Sequence, residues 1–319
     1  MTTIQIEKSA SLLFPPTGQR LDQAAVVVFG EHSRTRLQAW IASGALTLNG
    51  QQAEQREVVH HRDCLQLQVQ LDFEPSVKAE PIALDVVYED SALIVINKPA
   101  GLVVHPGAGN TRGTLVNALL HYAPELEALP RAGLVHRIDK ETTGLLVIAR
   151  TLTAHTQLVE ALQQREISRE YEAIVRGGLI SGGTIDKPID RDPRDRTRMA
   201  IRQGGRESVT HYRVLEKYRS HTRLRVKLES GRTHQIRVHM ASIKHPLLGD
   251  PVYGGRLAIP AGTSPAMEDM LRNFRRQALH ARRLALTHPE TGEQMDWQVP
   301  PPKDMQDLIA VLRADAENA

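Results

Sequence analysis

The chain has 319 residues, 41% apolar and 24% charged, with aromatics at only 4%. That length exceeds one small domain, and the apolar content supports a core built mainly from Leu, Val and Ile, so a disordered chain is excluded. The formal net charge of +3 permits a polyanionic partner without demanding one, because the placement of charge says more than its sum.

Cys64 is the only cysteine, so no disulfide closes within the chain, which fits a reducing compartment. The first seven residues lack the basic region and apolar core of a signal peptide. No run approaches the roughly 18 apolar residues of a membrane-spanning helix. A cytoplasmic protein with no membrane partner is expected.

In chain order, residues 18–75 read as a first unit. A helix opens at Arg20-Leu21-Asp22, with Leu21, Ala24, Ala25 and Val28 on one stripe. A second helix is predicted to start at Ser33, a good N-cap, with Leu37, Trp40 and Ile41 buried and Gly44 closing it. Leu46-Thr47-Leu48 alternates into Asn49-Gly50, a strong two-residue hairpin signal, and residues 65–69 alternate again. Residues 71–81, with two prolines, read as a linker. A second unit, 82–319, mixes strands at 92–97, 145–149, 170–176, 209–215, 222–229 and 234–239 with helices at 114–122, 153–164, 266–275 and 304–315. A mixed, mostly antiparallel α+β fold is expected.

Charge is unevenly placed. Residues 1–75 carry a net −2 and the remainder +5. Arg191, Arg194, Arg196, Arg198, Arg202 and Arg206 crowd one segment, and Arg272, Arg275, Arg276, Arg282 and Arg283 another with no acid among them. Like charges this dense point to a polyanion, and the planar guanidinium suits phosphate and base edges.

The segment His136-Arg137-Ile138-Asp139-Lys140-Glu141-Thr142-Thr143-Gly144 precedes an apolar strand, Leu145 to Ala149, so Asp139 stands on a loop anchored by a buried element. Its carboxylate could be a nucleophile, a metal ligand or a loop cap. No HExxH or paired CxxC spacing is present, and on an extended strand His234 and His239 would face opposite sides, which argues against a metal site. No GxSxG elbow occurs, which argues against a Ser-His-Asp hydrolase, and no phosphate loop or dinucleotide loop stands in a strand-to-helix context, so no nucleotide cofactor is expected. One Asp among Arg, Tyr and His suits covalent catalysis by a carboxylate.

These residues resemble a known family. The 136–144 segment is similar to the HRLD-x-x-T-S/T-G signature of the RluA-type pseudouridine synthases, with Ile138 for the usual Leu. Asn97-Lys98-Pro99 through His105-Pro106-Gly107, Arg169-x-Tyr171 (Arg for a frequent Lys), Gly231 to His239 and His245 to Gly254 match further motifs in order. Residues 18–70 resemble the S4 RNA-binding module. The resemblance implies a pseudouridine synthase catalytic fold behind a small S4-like domain. Ribosomal RNA or a pre-50S ribosomal particle would be the partner, with a large-subunit hairpin loop as target; the alternatives are a synthase of the same type acting on transfer RNA or another ribosomal site, and a non-catalytic S4-type RNA-binding or assembly factor. The enzyme would be a monomer needing neither metal nor cofactor. It further implies Asp139 as nucleophile, Tyr171 against the target base, Arg232 paired with Asp139, and Arg137 filling the gap left by the flipped base. His136, Arg34, Arg36, Arg194, Arg196 and Arg198 are the remaining candidate RNA contacts, His136 chiefly by shaping the loop.

Overall fold

Alternating residues near the start of the chain and at 65–69 end up in one antiparallel sheet. The computed structural model describes residues 2–30, 32, 34–73, 77–107 and 109–318, and the chain divides into two units, Met1–Ser76 and Val77–Ala319. The first contains β1 (Thr2–Ser11), α1 (Leu21–Val28), α2 (Arg34–Ser43), β2 (Leu46–Leu48) and β3 (Cys64–Phe73), with strand order β1-β3-β2. Leu21, Ala24 and Ala25 of α1 and Leu37, Trp40 and Ile41 of α2 bury against Leu46, Leu65 and Leu67 of the sheet. Both helical stripes therefore lie where their spacing predicts.

Two boundaries differ from expectation. The unit begins before residue 18, because β1 pairs along the whole of β3, from Thr2↔Phe73 to Ser11↔Cys64. Asn49 and Gly50 form the expected two-residue turn at φ 52° and 77°, closed by the antiparallel Leu48↔Gln51 bridge, while the strand partner along β2 is β3 (Leu46↔Leu67), farther along the chain. The expected 71–81 linker loses its first residues to β3, and Ser33 with its proposed cap lies outside the described residues.

The second unit runs β4 (Val86–Glu89), β5 (Leu93–Lys98), α3 (Leu115–Tyr122), β6 (Thr143–Ala149), α4 (Leu152–Gln163) and β7 (Ser168–Arg176). Then come β8 (Gly183–Asp186), β9 (Ile189–Arg191), β10 (Met199–Ile201), β11 (Val209–Lys217), β12 (His221–Leu228) and α5 (Gln235–Ser242). It closes with α6 (Pro265–Asn273), β13 (Leu279–Thr287), β14 (Gln294–Gln298) and α7 (Lys303–Glu317). The main sheet has the order β4-β5-β6-β13-β7-β12-β11-β8, with β14 also on β13 and a separate β9–β10 ribbon. Every pairing is antiparallel except β6 with β13. This is the mixed, mostly antiparallel sheet expected of an α+β chain.

The continuous apolar runs of β5 and β6 follow from cover on both faces. Ile94, Ile96, Leu146 and Ile148 point to one side, against Leu115 and Leu119 of α3 and Ile236 and Met240 of α5. Leu93, Val95, Leu145 and Val147 point to the other, against Ala154 and Leu158 of α4. Full burial of each such side chain contributes about 1.5–3 kcal/mol, so β5 and β6 form a rigid floor. Helices α6 and α7 pack on each other beyond Ile174 and Leu248.

One predicted strand is a helix. Residues 234–239 alternate Ile236 and Val238 with polar residues, yet Gln235–Ser242 is α5. Gln235 through Met240 are all buried, polar residues included. A helix enclosed on every side shows no polar stripe, so the alternation was uninformative there. His234 is the N-cap residue of α5 and His239 lies within the helix, so the two do not occupy opposite faces of a strand.

Candidate active site

The segment before β6 is pinned at several points. Ile138 is 6% exposed and plugs into the main core, so the residue before Asp139 is an anchor. The amide of Thr142 donates to the carbonyl of Asp139 at 3.0 Å. Gly144, at φ +109°, sits where β6 meets β13; a Cβ there would lie 2.2 Å from the Ala281 carbonyl oxygen. Only glycine fits that approach and that backbone. Lys98, at the end of β5, is fully buried, and its Nζ donates to the carbonyls of Pro99, Leu102 and Lys140 at 2.7, 2.9 and 2.9 Å. Burial pushes its ammonium down to about 8, against the pull of Glu141 and Asp139. The ammonium thus ties the residue after Asp139 to the β5 turn.

Asp139 is paired with Arg237, not Arg232. Arg237 Nη1 donates to Asp139 Oδ2 at 3.0 Å, while its Nε and Nη2 grip both oxygens of Asp250 at 2.7 and 2.9 Å. Asp250 also accepts from the amides of Val252 and Tyr253 at 2.8 and 3.0 Å. Burial alone would raise the Asp250 carboxyl, but the Arg237 fork and these amides hold it below its usual range. Arg232 is exposed instead, with its Nε 3.5 Å from the Glu207 carbonyl. The chain bends at 232–234 and enters α5 at Gln235, which aims Arg237 inward and leaves Arg232 on the rim.

Asp139, Arg137, Arg169, Tyr171, Arg232 and Arg237 line one cavity of about 50 Å³. Tyr171 on β7 is 6% exposed, and its phenol is pushed up by burial, opposed by Arg169 and reinforced by Asp139. It therefore stays protonated near neutrality and offers a ring face rather than a base. A larger cleft of about 850 Å³ adjoins this cavity through Arg137, Arg169 and Arg232, and is lined further by Arg131, Arg165 and His136. Five arginines against Glu207 and Glu229 make it a cationic approach to Asp139. Among the described residues, no cluster of three His, Cys, Asp or Glu side chains is placed to hold a metal ion.

The other expected contacts separate. His136 Nε2 accepts from the Val147 amide at 3.1 Å, and burial, with the Arg169 charge, pushes its imidazole down to about 3. Because that lies below the unfolded 6.5, the unfolded chain alone takes up this proton between the two values. Stability is then full above about pH 6.5 and falls as pH drops toward 3, by up to about 1.4 kcal/mol per pH unit. His136→Gln, which keeps an acceptor for Val147, should lose less stability than wild type between pH 6.5 and 4.5 in urea titrations. An unchanged loss would remove His136 from this account.

Arg194 and Arg196 are exposed on the turn between β9 and β10 and do not line the Asp139 cavity. Arg198 is half-buried; its Nη2 donates to the Val252 carbonyl at 2.9 Å, and its guanidinium lies 5.3 Å from the Tyr253 ring centre. The 272–283 arginines mostly have acids brought from elsewhere. Arg272 pairs with Glu268, Arg276 with Asp304, Arg282 with Glu172, and Arg283 with Glu170 and Asp296. That cluster is a set of ion pairs rather than a free cationic face. In the first unit, Arg34 Nη2 donates at 3.0 Å to the buried Asp22, which also takes Arg20 and Gln38. Arg34 is thus a clamp between α1 and α2, although 58% of its side chain remains exposed. Arg36 is exposed at the start of α2.

Sequence reasoning passed over Arg237, Asp250 and Lys98, although each lies in a motif it had singled out. The missing fact was burial: a lysine or arginine inside a protein must meet carbonyls or carboxylates.

The sequence profile of the RNA pseudouridylate synthase family matches residues 92–242, which span Lys98, Asp139, Tyr171 and Arg237. "Ribosomal large subunit pseudouridine synthase D" of Pseudomonas aeruginosa is 54% identical over 98% of both chains. The protein of that name from Escherichia coli K12 is 52% identical over 98% of this chain and 96% of its own. The solved structure of human RNA pseudouridylate synthase domain containing 4 covers 72% of this chain and 93% of its own at a TM-score of 0.57 and 28% identity. With a sheet of this topology, a carboxylate loop held on β6 and relatives matching nearly end to end, the chain belongs to the RNA pseudouridylate synthase family.

Proposed function

We propose that this enzyme converts uridines of large-subunit ribosomal RNA to pseudouridine, with Asp139 as nucleophile. The observation that carries the reading is the Asp139–Arg237–Asp250 chain set beside Tyr171 at the end of an arginine-lined cleft. A buried guanidinium shared by two carboxylates holds Asp139 in one orientation, as a nucleophile requires. The relatives' names supply the choice of ribosomal over transfer RNA.

The reaction needs an accessible nucleotide, and a base in an unpaired hairpin loop leaves its stack at the cost of only a few kcal/mol. Arg137, exposed at the junction of cleft and cavity, would occupy the vacated place. Attack of Asp139 on the nucleotide, at C1′ of the sugar or C6 of the base, leads to cleavage of the N1–C1′ bond; the uracil turns against the Tyr171 ring, C5 bonds to C1′, and the bond to Asp139 breaks. The C5 proton leaves and N1 ends protonated, so no atom is gained or lost. The first unit serves as an S4-like RNA-binding module, supported by its two helices on a three-stranded sheet and by exposed Arg34 and Arg36 at the start of α2. Arg194 and Arg196 extend the RNA contact beyond the cleft. The enzyme acts as a monomer in the cytoplasm on a pre-50S particle.

A pseudouridine map of ribosomal and transfer RNA from a deletion strain tests the substrate. Loss confined to a large-subunit hairpin loop is expected. Loss confined to transfer RNA would overturn the ribosomal assignment.

A further inference from the structure

Arg237 accounts for only one oxygen of Asp139. The other, Oδ1, faces His234 Nε2 across 4.0 Å. That distance is beyond a hydrogen bond, yet the imidazole is held firmly. His234 has φ 56°, a left-handed conformation uncommon outside glycine and asparagine, at the bend entering α5. Its Nδ1 is 2.8 Å from Tyr253 Oη, which itself accepts from the Met199 amide at 2.8 Å. Tyr253 is fixed in turn by the Arg237 and Arg198 guanidinium groups, 5.0 and 5.3 Å from its ring centre, and by its own amide on Asp250.

These contacts favour one tautomer. A carboxylate opposite Nε2 favours the proton on that nitrogen, because the alternative would set a lone pair against a negative charge. Nδ1 is then the acceptor, and the Tyr253 hydroxyl donates to it. One chain of hydrogen bonds runs from the Met199 amide through Tyr253 to His234 and ends in an N–H directed toward the Asp139 side of the cavity.

The cavity wall therefore presents a donor, His234 Nε2–H, and an acceptor, Asp139 Oδ1, 4.0 Å apart. One oxygen atom at about 2.8 Å from each would bridge them, with an angle of roughly 90° between the two bonds. It must accept from the imidazole and donate to the carboxylate, which a hydroxyl does and a carbonyl or phosphate oxygen does not. An internal RNA nucleotide carries one hydroxyl, at the ribose 2′ position, and DNA carries none there. We propose that His234, oriented by Tyr253, and Oδ1 of Asp139 together bind the 2′-hydroxyl of the target uridine and so make the site select ribose. The inference rests on Asp139 being the residue that meets the target nucleotide.

The test uses the full chain and RNA hairpins carrying pseudouridine or 2′-deoxypseudouridine at the mapped target position, neither of which is a substrate for turnover. Wild type should bind the ribose form about tenfold more tightly, the size that a hydrogen bond involving a charged group supports. In His234→Ala that preference should shrink to within about twofold, and Tyr253→Phe, which keeps the ring and frees the tautomer, should cut it by about threefold. A melting curve checks that His234→Ala folds; Tyr253→Phe carries the test if it does not. A full ribose preference in both variants, or none in wild type, would overturn the proposal and leave a bridging water as the occupant. Asp139→Asn separates the two readings: if it still makes pseudouridine, the nucleophile assignment fails as well.

Discussion

Asp139→Asn should lower the single-turnover rate of pseudouridine formation by at least about 10⁴-fold while changing RNA affinity by less than about threefold. Asparagine has nearly the same shape, and its amide oxygen can still accept from Arg237 Nη1, now 3.0 Å from Oδ2. Arg237 also keeps its two bonds to Asp250, so no buried charge is stranded. What is lost is a carboxylate able to form a covalent bond. Tritium release from RNA labelled at C5 of uridine measures the rate, and nitrocellulose retention measures the affinity. Equal release by both proteins would show that Asp139 is not the nucleophile.

Arg237→Ala should be costly twice over, and the exposed Arg232 provides the contrast. The Arg237 and Asp250 side chains are 5% and 0% exposed. Removing the guanidinium leaves Asp250 buried with only two backbone amides, an imbalance that costs about 3–5 kcal/mol of stability. It also releases Asp139 from the Arg237 ion pair, so the rate should fall by about 10²–10³-fold even where the variant remains folded. Arg237→Lys restores charge but not the fork and should recover little. Arg232→Ala, at the rim, should leave stability within about 0.5 kcal/mol and act on RNA affinity more than on turnover. Urea denaturation and single-turnover kinetics check all three. A rate loss in Arg232→Ala exceeding that of Arg237→Ala would reverse the assignment.

The difference between these two arginines shows where the sequence is informative. Both stand in the run from Gly231 to His239, and nothing in their order says which is inside. The strand reading of that run rested on Ile236 and Val238 alternating with polar residues. In fact residues 235–240 of α5 are all buried, and the polar ones, Gln235, Arg237 and His239, find partners on β11, Asp139, Asp250 and the Lys187 carbonyl. Tertiary contact, not periodicity, decides such a segment. The 272–283 cluster misled for a related reason: it looked unpaired because its acids, Glu170, Glu172, Asp296 and Asp304, are distant in sequence.

Local chemistry was legible wherever it was self-contained. The stripes of α1 and α2 and the apolar runs of β5 and β6 could be read from neighbours in the chain, because propensity and periodicity act over a few residues. The sequence by itself also determined the family and the presence of Asp139 on an anchored loop, since those rest on residue types in order. Only the tertiary structure decided that Arg237 rather than Arg232 holds Asp139, that Lys98 ties down the following carbonyl, and that His234 faces the free oxygen. Each of those depends on which charged or polar group loses its water, and burial is a property of the assembled fold.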